Sequence, residues 1–352
     1  MARGASDAGA EAISMPVADG GDGTLEVLLR ARGSHARVTR HRVTGPNGTL
    51  VTARLGWIGP DEAVVELAEA SGLRRLDGGV LDPLHATSRG SGELIRIALE
   101  AGARSIIVGV GGSACTDGGA GLLQALGAHL TRADGQEISP GGAGLEELDA
   151  IDLSAALAAV ADRSIQVGCD IRSPLLGPQG PARMFAVQKG ATSDDVDRLE
   201  RALARYSEVA GDLGDRDLQL LPGAGAGGGC GFGLALAGAV LVSGARLVCD
   251  LVGLDSALRT ATVVLTGEGR LDSQTPTGKA PAEVAARAAT RSIPCIAIAG
   301  TVLEQLPELF AMTVSLGDID PRVDPMRHTR ALLRTAARRA IEGMPGTPGG
   351  DA

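Results

Sequence analysis

Apolar residues along the chain fall into two patterns. Short β-branched runs predict buried strands: Ser105-Ile-Ile-Val-Gly-Val110, Gln166-Val-Gly-Cys169, Thr262-Val-Val-Leu265 and Ile293-Pro-Cys-Ile-Ala-Ile-Ala299. Between them the apolar positions recur at helical spacing. From Gly92 to Ala101, Leu94, Ile95, Ala98 and Leu99 share one face, and Gly102 is the expected stop. Thr192 and Asp195 form a capping-box pattern ahead of Val196, Leu199, Leu203 and Tyr206. Asp324-Pro325 opens a final helix predicted to reach about Glu342. Strands that alternate with helices imply an α/β chain with mainly parallel sheets covered on their faces. Between Arg37 and Leu67 three strand-like runs follow one another, with Gly45-Pro-Asn-Gly48 as a turn, so a locally antiparallel piece and a candidate domain boundary are expected there.

Length changes this picture by suggesting about two domains, at roughly 150 residues each. One Trp, one Tyr and three Phe leave the core to Val, Ile, Leu and Ala, which suits parallel strands under Ala-rich helices. Acidic residues outnumber basic ones 42 to 33, which speaks against general nucleic-acid binding. Five dispersed cysteines without a CxxC pair fit a reducing, cytoplasmic setting, and the histidines lack metal-ligand spacing. The first residues lack the apolar segment of a secretory signal. Leu218 to Ala245 is uncharged, but its apolar part, Phe232 to Val242, is shorter than the ~20 residues of a membrane span and reads as a buried core helix. The basic stripe Arg327, Arg330, Arg334, Arg338 reads as a solvated helix face, and the tail from Gly343 as disordered.

The 52 glycines gather in loops that also carry acids and lysines. Asp19-Gly-Gly-Asp-Gly-Thr24 offers two carboxylates on a turn, without the Glu an EF-hand needs. Gly109-Val-Gly-Gly-Ser-Ala-Cys-Thr-Asp-Gly-Gly-Ala-Gly121 follows a strand and precedes a helix. Its freed N–H groups predict an anion site, with Ser113, Thr116 and Asp117 beside them. Thr266-Gly-Glu-Gly-Arg-Leu-Asp272 displays Glu268 and Asp272 after a buried strand, and Lys279 opens the next helix. This is not a Walker A loop, because Ser273 and Ala280 stand at two of its defining positions. Asp170 ends a strand, and Lys189 precedes a capped helix. Gly223, Gly225 and Gly228 match G-x-G-x-x-G, but no strand precedes them, so a helix start packed tightly on a neighbour is the reading.

In this order, the stretches Met15 to Thr24, Thr87 to Ile95, Gly111 to Gly119, Cys169 to Leu175, Gln188 to Ala191 and Thr266 to Lys279 resemble the bacterial type I glycerate kinase family. The resemblance covers roughly Ser14 to Thr301. It implies transfer of the ATP γ-phosphate to D-glycerate, at the 2-hydroxyl, with Mg2+ accompanying ATP. It also implies a flavodoxin-like domain (1–44 plus 255–342) with a restriction-endonuclease-like α/β domain (45–254) inserted, and a tail at 343–352. The partners implied are the two small substrates, with neither nucleic acid nor membrane and with a homodimer left open.

On that resemblance Asp170, Lys189, Glu268 and Asp272 are the expected catalytic residues. Gly111, Gly112, Ser113, Thr116, Asp117 and Lys279 would bind nucleotide or phosphate. Asp19, Thr87 and Ser88 would bind substrate, and Asp117, Glu268 and Asp272 the metal. Family members begin with a further strand and a loop like Asp-Ser-Phe-Lys-Gly-Ser. Here the chain opens Met1-Ala-Arg-Gly-Ala-Ser-Asp, which leaves two readings, a longer natural protein or a truly shortened chain, and the first is the expectation. Asp22, Thr116 and Ser173 stand where the family has Glu, Asn and Asn, and the two lost Asn residues bear on substrate identity. A binding protein without turnover and a kinase for another small hydroxy acid are the alternative readings.

Overall fold

The structure is a computed structural model and describes residues 1–169, 173–211, 217–303 and 305–344. The chain divides into two compact units, Ala18–Val248 and the two ends together, Met1–Val17 with Cys249 onward. Residues 18–44, expected with the terminal unit, pack in the continuous one, and the second division falls at 248/249. The reason is local. The helix Thr24–Arg32 buries Leu25 and Leu28, Leu25 donates its N–H to Glu66 (3.0 Å), and Gly56 has no room for a Cβ beside Leu25.

The strands of the continuous unit are β1 (Arg37–Thr44), β2 (Leu50–Trp57), β3 (Glu62–Glu66), β4 (Ser105–Gly109), β5 (His129–Thr131), β6 (Ala150–Asp152), β7 (Ser164–Cys169) and β8 (Val240–Ser243). β5 and β6 pair separately, and the others form a six-stranded sheet in the order β1-β2-β3-β4-β7-β8. β1, β2 and β3 are antiparallel, as the three successive runs predict, and β3, β4, β7 and β8 run parallel. The helix Arg89–Glu100 buries Leu94, Ile95, Ala98 and Leu99, and Gly102 follows it at φ +94°. At the helix Ser193–Gly211, Thr192 Oγ1 accepts the Asp195 N–H (3.2 Å) and Asp195 Oδ2 accepts the Thr192 N–H (2.9 Å), so the box closes in both directions. The expected helix over Phe232 to Val242 is instead a helix, Cys230–Leu236, followed by β8. Gly238 at φ +84° ends the helical path, and Val240 and Val242 favour the strand beyond it.

The terminal unit holds β9 (Val264–Thr266), β10 (Arg270–Leu271), β11 (Cys295–Ala299), β12 (Thr301–Val302) and β13 (Met312–Ser315). β13, β11 and β9 form a parallel sheet with β11 in the middle. Alternation along β11 fills both faces. Cys295, Ala297 and Ala299 join the helix Ala280–Ala289 through Val284, Ala285 and Ala288, whereas Ile296 and Ile298 meet the helix Pro325–Glu342 through Leu332 and Ala336. Each buried isoleucine contributes about 1.5–3 kcal/mol. The stripe on that last helix is partly paired, with Arg334 bound to Asp7 (2.8 Å). Among the described residues no helix is long and apolar enough to cross a membrane. Residues 345–352 of the expected tail lie outside the described residues.

Candidate active site

The parallel strands of the continuous unit end level with one another, because Glu66 pairs with Gly109, Gly109 with Gly168 and Cys169 with Ser243. Ligands of open α/β sheets bind at such carboxyl ends. The loop at Asp19 crosses this edge. Gly111 donates its N–H to the Gly20 carbonyl (3.3 Å), and a Cβ on Gly20 would lie 2.5 Å from the Gly168 carbonyl, with φ already at +91°. Backbone meets backbone here, which explains the glycines at 20 and 111. The two acids of this loop do different work: Asp19 accepts the Gly21 N–H (3.2 Å), and Asp22 pairs with Arg74 (3.2 Å).

The loop after β4 is held from behind by Lys189. Its ammonium donates to the Cys115 carbonyl (2.5 Å), Ser113 Oγ (3.1 Å) and Thr116 Oγ1 (3.4 Å), and the residue is only 3% exposed. Burial lowers its pKa, and the nearby Cys115, Cys230 and Asp117 oppose that shift. Among the described residues the N–H groups of Gly112, Ser113, Cys115 and Thr116 have no acceptor. Free amides with a buried cation behind them can receive an anion.

Asp117 is fully buried, and its oxygens accept from Ser88 N (2.8 Å), Ser88 Oγ (2.8 Å), Gly119 N (3.1 Å), Gly121 N (3.4 Å) and Thr87 Oγ1 (3.5 Å). Thr87 and Ser88 are themselves buried, so these three residues tie the start of the helix Arg89–Glu100 to the glycine loop. The run from Gly223 packs on the same loop, with Gly118 donating to the Gly228 carbonyl (3.0 Å) and Gly119 lying against Cys230 and Gly233.

Two buried acids were not singled out from sequence. Glu69 binds Arg54 (3.0 Å) and Arg75 (2.8 Å). Burial pushes its pKa up, but those arginines outweigh it and hold the carboxyl below its usual range. Glu66, at the end of β3, caps the helix Thr24–Arg32 through Leu25, while its Oε2 is buried without a hydrogen bond and 4.0 Å from Arg74. Burial raises its pKa, Asp22 and Glu69 add to the shift, and the Leu25 N–H and Arg74 act against it. A charged residue inside the apolar run Ala63-Val-Val-Glu-Leu-Ala68 is the signal that could have found it.

Because folded Glu66 holds its proton above 4.5, the folded state binds more protons than the unfolded state there. The stability it contributes is full below 4.5 and is lost as pH rises through the folded value. Relative to Glu66→Gln, the wild type should therefore lose stability as pH climbs above 4.5, read from urea midpoints of both proteins. Parallel midpoint curves would contradict this.

In the terminal unit, Glu268 lies two residues beyond the end of β9, and its loop is zipped to the chain after β11 by β10 and β12, with Gly300 donating to the Glu268 carbonyl (3.3 Å). Lys279, at the N-cap of the helix Ala280–Ala289, lies 3.4 Å from Glu268 Oε2 and 4.0 Å from Asp272 Oδ1. Arg270 also meets Asp272 (3.1 Å). Thr275 is fully buried among them; its hydroxyl donates to Glu268 Oε1 (2.7 Å) and accepts the Asp272 N–H (3.2 Å). The three residues expected from sequence thus come together, and Thr275 is an addition to them.

The predicted residues therefore form two groups, one in each unit. Gly111, Gly112, Ser113, Thr116, Asp117, Lys189, Thr87 and Ser88 gather in the continuous unit, whose Asp19 lies on the crossing loop, and Glu268, Asp272 and Lys279 gather in the terminal unit. Asp170, the expected base, lies outside the described residues.

The model of the glycerate kinase family matches residues 1–344. The glycerate 2-kinase of Escherichia coli K12 is 43% identical over 322 residues, covering 88% of this chain and 84% of the relative. The glycerate kinase of Bacillus subtilis 168 is 42% identical, covering 84% of this chain and 77% of the relative. A solved structure from Salmonella typhimurium LT2, described as a candidate glycerate kinase 2, superposes with a TM-score of 0.81 at 40% identity over 96% of this chain and 91% of its own.

Proposed function

The chain belongs to the glycerate kinase family, and from that premise we propose how its residues serve the reaction. It is an ATP-dependent glycerate kinase. We infer that the acceptor is the 2-hydroxyl of D-glycerate, a reading supported by the 43% identity to a glycerate 2-kinase. In that step the hydroxyl oxygen bonds to the γ-phosphorus, the bridge to the β-phosphate breaks, ADP leaves and the hydroxyl proton is taken up. Such transfers need positioning and charge neutralisation more than covalent catalysis.

The observation that carries this reading in the geometry is the trio Glu268, Asp272 and Lys279 at the end of β9. Lys279 stands at a helix start, where a cation and the first amides together favour phosphate. Glu268 and Asp272 offer the hard carboxylate oxygens that Mg2+ takes, so the residues present fit that ion, which when bound would neutralise charge on the phosphate oxygens. Asp117 stays outside this proposed metal set, because its oxygens already accept from the chain itself.

In the continuous unit the loop at Gly111, Gly112, Ser113 and Thr116 is the proposed anion cradle. Lys189, Asp117, Thr87 and Ser88 act behind it as supports. Asp19 on the crossing loop is kept as a proposed substrate contact, and Asp170 as the proposed acceptor of the hydroxyl proton. We assign the terminal unit as flavodoxin-like and the continuous unit as restriction-endonuclease-like.

The test is ADP release by the purified chain with Mg-ATP, with and without D-glycerate, and with product position read by NMR. Release that depends on glycerate with phosphate on the 2-oxygen is expected. A folded protein that releases none would favour a binding role, and faster release on tartronate or lactate would favour another hydroxy acid.

A further inference from the structure

We propose that Thr275 is the positioning residue for the acidic pair of the terminal unit, setting Glu268 and Asp272 for the Mg-nucleotide. This deepens the assignment of those acids above and rests on it. Thr275 is wholly buried, and its single hydroxyl is used twice. As donor it fixes Glu268 Oε1 at 2.7 Å, and as acceptor it takes the Asp272 N–H at 3.2 Å. One rotor therefore sets the plane of one carboxylate and the backbone that carries the other.

The rotor itself has little freedom. Its N–H donates to the Asp272 carbonyl (2.9 Å), which closes the turn. Thr275 is β-branched, so its side chain is restricted, and it opens the short 3-10 turn Thr275–Thr277. Because Oε1 is occupied by Thr275, the Glu268 oxygen facing Lys279 is Oε2, at 3.4 Å. A glutamate without this bond would rotate about its terminal torsion, which is broad. Asp272 has its own local brace, Gln274 N–H to Oδ1 at 3.0 Å, so the loss of Thr275 should fall more on Glu268.

Thr275→Val keeps shape and removes the hydroxyl, and Thr275→Ser keeps the hydroxyl. Binding of Mg-ADP is read by calorimetry, kcat/KM for Mg-ATP by ADP release, and folding by thermal unfolding. A charge-assisted bond of this kind predicts about 10–100-fold weaker Mg-ADP binding and a similar fall in kcat/KM for the valine, with the serine near wild type. Combined with Glu268→Gln, the valine should add little, because both changes remove the same oriented carboxylate.

A folded valine variant with wild-type Mg-ADP affinity and kcat/KM would overturn the proposal while Glu268→Gln remained impaired. Equal impairment of valine and serine would overturn it too, since the hydroxyl would not be the cause. Wild-type behaviour of Glu268→Gln would remove the underlying assignment and the proposal with it. If the valine does not fold, Thr275→Ala is judged by the same outcomes.

Discussion

Glu268→Gln is expected to keep the fold and to lower kcat/KM for Mg-ATP by on the order of 10²–10³-fold, the usual loss when one preorganised electrostatic group leaves a charged transition state. Stability should barely move, because the amide has the same shape and its oxygen can still accept from Thr275. The ion pair lost with Lys279 is a 3.4 Å contact between partly exposed groups, worth about 1 kcal/mol or less. Stability and activity therefore separate. Thermal unfolding beside steady-state kinetics checks both, and turnover near wild type would take Glu268 out of the mechanism.

Lys189→Met should show the second largest effect, through a different route. The ammonium is buried and makes its three bonds to neutral oxygens. Removing it orphans the Cys115 carbonyl, which costs about 1–3 kcal/mol. It also relieves the chain of a desolvated charge, a gain of comparable size. The two terms nearly cancel, so the fold is expected to survive within about 3 kcal/mol, read from urea midpoints.

Activity should not survive as well. The carbonyl and both hydroxyls that lose their anchor belong to the loop with the free amides, and a displacement of ~1 Å can cost on the order of 10²-fold in rate. A folded methionine variant with full turnover would show that the loop holds its shape without the cation. A rise in KM for one substrate, with kcat unchanged, would instead indicate direct contact by the ammonium.

These two residues show how much of the site was legible in the sequence. The loop at Glu268 was legible because its acids and Lys279 lie within one strand–turn–helix segment, and their meeting is a local matter. The role of Lys189 was not, since the sequence places it before a capped helix and says nothing of which way Nζ turns. Asp117 looked like a ligand for the same reason: its donors at Thr87 and Ser88 come from a segment about thirty residues earlier.

The sequence by itself determined the type of the longer elements, except over Phe232 to Val242, together with the alternation of strand and helix, the antiparallel run ending at Glu66, and the placing of chemistry in glycine loops after strands. Periodicity and turn residues act within a few residues, so they are readable one segment at a time. The tertiary structure decided the division at 17/18 and 248/249, the burial of Glu66 under a helix that begins more than forty residues before it, and the use of the glycines at 20 and 111 to bring two loops together. Those outcomes depend on which apolar faces meet, and a period of two or 3.6 tells which face a residue occupies but not its partner.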